Sequence, residues 1–238
     1  MIGHILATLL PVLLIAGCGA AYGRYRTPDI RSLNTLNMEL FVPLLVFAVL
    51  ADRQAPLAEY AWLATAAMAV VLGSGIVLWP LAKWLKLDSK IFLPPMMFNN
   101  AGNMGVPLLV LAFGAEALPA AVVVFIVEML LHFSVGLYML NPRTSLWRML
   151  RMPIVLASLA GLTVNISGLP LPGWLLEAMH MLGGVSIPLM LFALGVRLLE
   201  IDFSDWRTGI LGAVLCPLSG LVIALPLMWL LPLNALQA

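Results

Sequence analysis

The chain has 238 residues, of which 63% are hydrophobic and only 10% are charged. A soluble globular domain carries roughly a quarter of charged residues, so this composition excludes an ordinary soluble enzyme. The formal net charge of +1 offers no basic surface for nucleic acid, which leaves the lipid bilayer as the predicted surroundings. At roughly 20 residues per span, the length predicts an all-α polytopic membrane protein with about eight transmembrane helices.

Eight apolar runs, separated by short charged or Pro/Gly-rich segments, are the predicted spans. In chain order they cover residues 2–22, 33–51, 61–84, 91–113, 119–140, 153–169, 181–199 and 209–231. Lys and Arg concentrate in alternate connections: three follow the first span, three the third and three the fifth, and two lie around the end of the seventh. By the positive-inside rule, this pattern predicts that the N-terminus lies outside. We expect a multi-pass protein of the inner (plasma) membrane.

Similar segments recur in the two halves of the chain at a nearly constant spacing. The matching pairs are PLLVFA at 43–48 with PLMLFA at 188–193 and SGIVL at 74–78 with SGLVI at 219–223, each 145 residues apart, and Pro11 with Pro153, 142 apart. A repeat of five spans, being odd, inserts its second copy upside down, which is the inverted-repeat plan of secondary transporters. The sequence thus predicts a first five-helix repeat over residues 1–140 and an incomplete second repeat of three helices over residues 153–238.

The same spacing predicts a second copy of residues 99–107 at about 244–252, beyond Ala238. We therefore expect this sequence to hold eight helices of a five-plus-five inverted repeat and to lack the last two.

The fourth predicted span, residues 91–113, contains the string Phe98-Asn-Asn-Ala-Gly-Asn-Met-Gly-Val-Pro107. Pro107 cannot donate a backbone hydrogen bond and the glycines loosen the preceding turn, which predicts two half-helices joined by an unwound segment at the bilayer midplane. Half-helix ends, exposed amides and Asn side chains offer neutral hydrogen bonds to a carboxylate. A kinked helix whose Asn residues tie neighbouring helices together is the structural alternative.

This string, together with an early Pro-Leu-x-x-Phe-Ala span, resembles the auxin efflux carrier family, which includes plant auxin exporters and bacterial malate or malonate permeases. The resemblance covers nearly the whole chain. It implies ten helices in two inverted repeats, broken fourth and ninth helices, transport of organic acid anions and a homodimer formed through the scaffold. It also implies a substrate site at the matching residues Asn99, Asn100, Gly102, Asn103, Gly105 and Pro107.

An ionisable pair lies near the centre of the fifth predicted span. Glu128 and His132 are one turn apart and can face the same side. A carboxylate is costly in lipid, so Glu128 is expected to face protein or a cavity and to be protonated or paired with His132. The functional interpretation is a proton-coupling or gating group, and the alternative is an interhelical hydrogen bond.

Other motifs are sparse. Neither HExxH, GxSxG nor a phosphate-cradling Gly-Lys loop occurs, so no enzymatic activity is predicted. Cys18 and Cys216 lie within predicted spans and make neither a disulfide framework nor a metal site. No cofactor is predicted, apart from H⁺ or Na⁺ as a coupling ion.

Two functional hypotheses follow. The first is a secondary carrier for small organic acid anions, in which a bundle holding the broken fourth span rocks against a scaffold of the first, second, sixth and seventh spans. The second is a truncated, non-transporting carrier remnant that acts only as a structural or partner membrane protein.

Overall fold

A computed structural model describes residues 2–52, 57–141, 147–201 and 206–233, and these residues form helices and connections without any strand. The α-helices are α1 (Ile2–Tyr25), α2 (Ile30–Leu36), α3 (Val42–Ala51), α4 (Leu57–Trp84), α5 (Ser89–Met97), α6 (Val106–Phe113), α7 (Leu118–Leu131), α8 (Leu137–Leu140), α9 (Trp147–Leu150), α10 (Pro153–Ser167), α11 (Gly173–Gly184), α12 (Ser186–Leu198) and α13 (Trp206–Leu230). Three π-helical turns, Asn37–Phe41, Ala101–Gly105 and His132–Gly136, and a 3₁₀ turn, Ala115–Ala117, lie between them.

The all-helical, polytopic membrane class predicted from composition is confirmed. Within the part of the chain that the structure describes, five helical stretches are long and apolar enough to cross a bilayer: Ile30–Ala51, Tyr60–Trp84, Ala115–Leu140, Gly173–Leu198 and Trp206–Leu230. Leu9–Tyr25 and Pro153–Ser167 are shorter apolar helices. The pair α5 and α6 is the broken fourth span, so each of the eight predicted runs corresponds to helical structure in the described residues.

The seventh span begins earlier than the sequence predicts. Its helix begins at Gly173, directly after Pro172, rather than near residue 181. At about 1.5 Å per residue, the 26 residues of Gly173–Leu198 extend about 39 Å, longer than a hydrocarbon core of about 30 Å. Glu177 and His180 are exposed in the first part of this helix. Because these polar side chains lower the local hydropathy, the apolar pattern places the start of the span too late.

The chain divides into two compact units. The first unit contains Met1–Pro56, Ala101–Val122 and Leu150–Ile201, and the second contains Leu57–Asn100, Val123–Met149 and Asp202–Ala238. Each unit therefore takes segments from both halves of the sequence. The first unit holds the first, second, sixth and seventh spans, which are the spans predicted to form the scaffold.

Close helix packing through glycine holds the first unit together. Its most extensive helix pairs are α1 with α12 and α10 with α3. Gly19 of α1 lies against the carbonyl of Phe192, so a Cβ at this position would overlap the carbonyl oxygen. Gly161 of α10 lies against the carbonyl of Phe47, where a Cβ would be 3.0 Å from the oxygen. Small residues of this kind let membrane helices approach backbone to backbone.

These two contacts have the same spacings as the sequence repeat. Gly161 follows Gly19 by 142 residues, and Phe192 follows Phe47 by 145. In each case the glycine of one half of the chain meets the phenylalanine carbonyl of the other half. Each of these two helix pairs thus joins a glycine of one half of the chain to a phenylalanine of the other half.

The second unit has a side-chain core built around α5. Phe92, Leu93, Met96, Met97 and Phe98 are buried there together with Val71, Leu78 and Ala82 of α4. Ser74 and Ser219, another pair 145 residues apart, are both buried. The remaining surface of α13 is largely exposed and apolar, as expected for a helix in lipid.

Candidate functional site

The fourth span is interrupted where the Asn-rich string begins. Helix α5 ends at Met97, and the N–H of Phe98 still donates to the Pro94 carbonyl at 2.9 Å. Phe98 has extended backbone angles (φ −108°, ψ 107°), and Asn99 and Asn100 belong to no regular element. The chain then forms the π-helical turn Ala101–Gly105 before α6.

Local sequence explains this interruption. Gly102 and Gly105 are poor helix formers because they lose the most backbone entropy on ordering. Pro107 occupies the second position of α6 and has no N–H to donate to the π-helical turn before it. The fourth span is divided into two helical parts as predicted, but its non-helical residues are 98–100, whereas Gly102 and Gly105 lie within the π-helical turn. The boundary between the two compact units falls between Asn100 and Ala101.

In the second unit, the ring of Phe98 anchors the end of α5. The ring centroids of Phe98 and His132 are 5.0 Å apart, with an interplanar angle of 39°. Gly136 lies four residues after His132, and a Cβ built on it would be 2.8 Å from Cε2 of Phe98. The fifth span thus presents one aromatic ring and one glycine to Phe98.

Asn99, the first residue after this anchor, is exposed but has a hydrogen-bond partner. The Cys216 thiol donates to Asn99 Oδ1 with an Sγ to Oδ1 distance of 2.9 Å. Cys216 Sγ is also 3.7 Å from the Met96 carbonyl oxygen. Asn100 is exposed as well, so two of the three predicted carboxamides lie at an open surface of the second unit.

The first unit contains the remaining residues of the string. The turn Ala101–Gly105 packs against α12, and α6 packs against α1 and α12. Pro107 is fully buried, whereas Gly102 and Gly105 are half-buried. The backbone of Asn103 lies within the turn, and its side chain is outside the described residues. Gly102, Gly105 and Pro107 therefore shape the backbone, and Asn99 and Asn100 are the carboxamides whose described side chains are exposed.

Glu128 and His132 differ in environment. Glu128 is 7% exposed, whereas His132 is exposed and stacks on both Phe98 and Phe133. The ring contacts give His132 a packing role next to the unwound segment that the sequence did not predict. Burial of the Glu128 carboxyl agrees with the expectation that it faces protein.

Sequence reasoning missed three residues around the unwound segment: Phe98, Gly136 and Cys216. In the sequence, Phe98 stands out only as the first residue of the Asn-rich string. Gly136 and Cys216 carry no local signal, because their contacts with residues 96–99 depend on how α5 packs against the fifth and eighth spans. Among the described residues, no group of three or more His, Cys, Asp or Glu side chains is placed to hold a metal ion.

Together, the fold and this segment define a polytopic helical membrane protein with a discontinuous span, the arrangement that secondary transporters use at their substrate sites. Residues 4–146, more than half of the chain, match the family described as membrane transport protein. The chain belongs to this family, the auxin efflux carrier family of membrane transporters. A comparison with curated proteins finds no match.

Proposed function

We propose that this protein is a secondary carrier for small organic acid anions and that the interrupted fourth span forms its substrate site. The observation that carries the proposal is the coincidence of the helix break at Phe98–Asn100 with exposed carboxamides. The amide N–H groups of Asn side chains donate to a carboxylate without adding charge to the membrane interior. Such donors suit an anion that has to be released as well as bound.

A rocking-bundle mechanism fits the composition of the two compact units. The first unit holds the four spans proposed as the scaffold, and the second holds the third and eighth spans with the first half of the fourth. The exchange of glycine contacts between the halves of the first unit supports an inverted repeat. We further propose that both termini lie outside and that two copies associate through the first unit.

Coupling to H⁺ is a second part of the proposal, with Na⁺ or the membrane potential as the alternative driving force. Glu128 is the candidate proton carrier because it is a buried carboxyl group within a membrane span. His132 lies one turn further along the same span. If Glu128→Gln retained full pH-dependent uptake, coupling through this residue would be excluded.

Uptake by reconstituted protein tests the substrate proposal. We expect proteoliposomes to accumulate labelled malate, malonate or indole-acetate, and Asn99→Ala or Asn100→Ala to lower uptake at limiting substrate about 10-fold to 100-fold. This range corresponds to losing a hydrogen bond to a charged group, about 1.5–3 kcal/mol. Asn165→Ala is the matched control, because Asn165 lies in the last turn of α10 and bonds to the Asp52 carbonyl. If none of the three anions were taken up, a non-transporting membrane protein would be the better account.

A further inference from the structure

The Cys216 thiol occupies a specific place against the unwound segment. Gly212 lies one turn before it in α13, and a Cβ on Gly212 would be 2.9 Å from Cε of Met96. Because residues four apart share a helix face, the close approach at Gly212 directs Cys216 toward the end of α5. The thiol there is 3.7 Å from the Met96 carbonyl oxygen and 2.9 Å from Asn99 Oδ1.

The backbone around Cys216 is also constrained. Pro217 follows it within α13 and has no N–H to donate. Ser219 Oγ donates to the Cys216 carbonyl at 2.9 Å, which adds a bond at the turn where proline removes one. The thiol is thus held by its helix and does not depend on a mobile loop.

We propose that Cys216 is a positioning residue for Asn99. A thiol is a donor, and a carboxamide has only one acceptor atom, so the bond from Cys216 selects Oδ1 and turns Nδ2 away from α13. The two N–H groups of Nδ2 are then available to the carboxylate of a bound anion. This inference rests on the proposed function, in which Asn99 contacts substrate and Cys216 acts through it.

The surroundings give the thiol access to small molecules. Cys216 is half-buried and lines a cavity of about 670 Å³ between α5 and α13. The cavity walls include Phe92, Pro95, Met96 and Gly212, and Asp88 and Thr208 are also among its lining residues. The wall next to the thiol is mainly apolar, and Cys216 donates to the Asn99 oxygen from it.

Infrared spectroscopy tests the hydrogen bond independently of transport. The sequence has only two cysteines, so Cys18→Ser protein has a single S–H stretching band, that of Cys216. We expect Asn99→Ala in this background to shift the band to higher frequency, because the S–H bond loses its acceptor, and Asn165→Ala to leave it unchanged. A band that does not move with Asn99→Ala would overturn the proposal whether or not the protein transports anions.

Malonate kinetics then test the positioning role. We expect Cys216→Ala to raise the malonate concentration for half-maximal uptake about twofold to fivefold with little change in maximal rate, since a thiol is a weak donor. Cys216→Ser, which keeps an O–H donor, should restore the wild-type value, and Cys216→Ala should have no further effect in Asn99→Ala protein. Cys18→Ala is the matched control. Equal values for Cys216→Ala and wild type, or failure of Cys216→Ser to restore affinity, would overturn the role, whereas absence of uptake by wild-type protein would reject the proposed function instead.

Discussion

The glycines of the two compact units face different kinds of neighbour. At four glycines of the first unit, Gly19, Gly161, Gly183 and Gly195, an added Cβ would meet mainly backbone atoms, whereas at Gly23 it would meet the side chains of Val196 and Leu199. In the second unit an added Cβ would meet the ends of side chains, at Gly73, Gly75, Gly136 and Gly212. Backbone cannot yield without moving a whole helix, whereas a side-chain end can change rotamer. We therefore expect a methyl group added at these glycines to be poorly tolerated in the first unit and better tolerated in the second.

The largest effect is expected from Gly195→Ala. Its new methyl group would overlap the carbonyl of Ala16 in α1, and α1 with α12 is the most extensive helix pair of the first unit. We expect a loss of about 3 kcal/mol or more, at the upper end for overpacking, measured as the thermal stability and yield of monodisperse protein in detergent.

Gly184→Ala is the control for that variant, because nothing lies within 4 Å of a Cβ built at Gly184. Alanine is the better helix former, so Gly184→Ala should be neutral or slightly stabilising. If the Gly195→Ala variant were as stable as the wild-type protein, the helices of the first unit would not be held together through backbone contact.

An intermediate effect is expected from Gly136→Ala in the second unit. The new Cβ would meet the Phe98 ring at 2.8 Å, and this ring is already stacked on His132. Moving the ring should cost about 1–2 kcal/mol of stability. Because Phe98 directly precedes Asn99, we expect anion uptake to fall more than stability does.

The control for this variant is Gly209→Ala, where nothing lies within 4 Å of the added methyl group. Comparing uptake per folded transporter between the two variants separates displacement of Phe98 from general destabilisation. Normal uptake by Gly136→Ala would show that the position of Phe98 does not matter to the site.

A smaller effect is expected from Gly212→Ala. The new Cβ would be 2.9 Å from the terminal methyl of Met96, and methionine is the most adaptable of the large apolar side chains. We expect the free energy of unfolding to fall by less than about 1 kcal/mol, measured through the melting temperature. A loss as large as that of Gly195→Ala would remove the distinction between the two units.

Sequence alone predicted the spans and the helix break, and it did so for physical reasons. A chain in lipid has to satisfy its backbone hydrogen bonds within each segment, so apolar runs report helices directly. Pro107 and the glycines of residues 102–105 indicated that the fourth span is interrupted, although the non-helical residues are 98–100, just before the glycines. The start of the seventh span at Gly173 could not be predicted in this way, because a helix that extends past the hydrocarbon core carries polar residues in the part outside it.

Contacts between segments could not be read from the sequence. The bond between Cys216 and Asn99 joins residues 117 positions apart, and the ring contact of His132 with Phe98 joins two different spans. The sequence placed Glu128 and His132 on one face by α-helical spacing. The α-helix runs through Leu131, so that spacing holds between the two residues, and the structure leaves Glu128 buried and His132 exposed.

The smallest effect is expected from the polar end of the first unit. Asp29 caps α2, and its pKa is lowered by the hydrogen bond from the Ser32 hydroxyl and then by the bond from the Ser32 backbone N–H. Because the folded-state pKa is lowered, the carboxylate stabilises the folded protein at pH values above the ordinary aspartate pKa of about 3.9. This contribution is lost as the pH falls through the lower folded-state pKa. We expect Ser32→Ala to reduce the melting temperature slightly at pH 7 and to match wild type at low pH, with Thr27→Ala as an exposed control outside the cap.

Because Asp29 is exposed, the loss of stability of Ser32→Ala at pH 7 should be far below that of Gly195→Ala. A difference of similar size would mean that polar surface contacts, and not backbone packing at glycine, dominate the stability of the first unit.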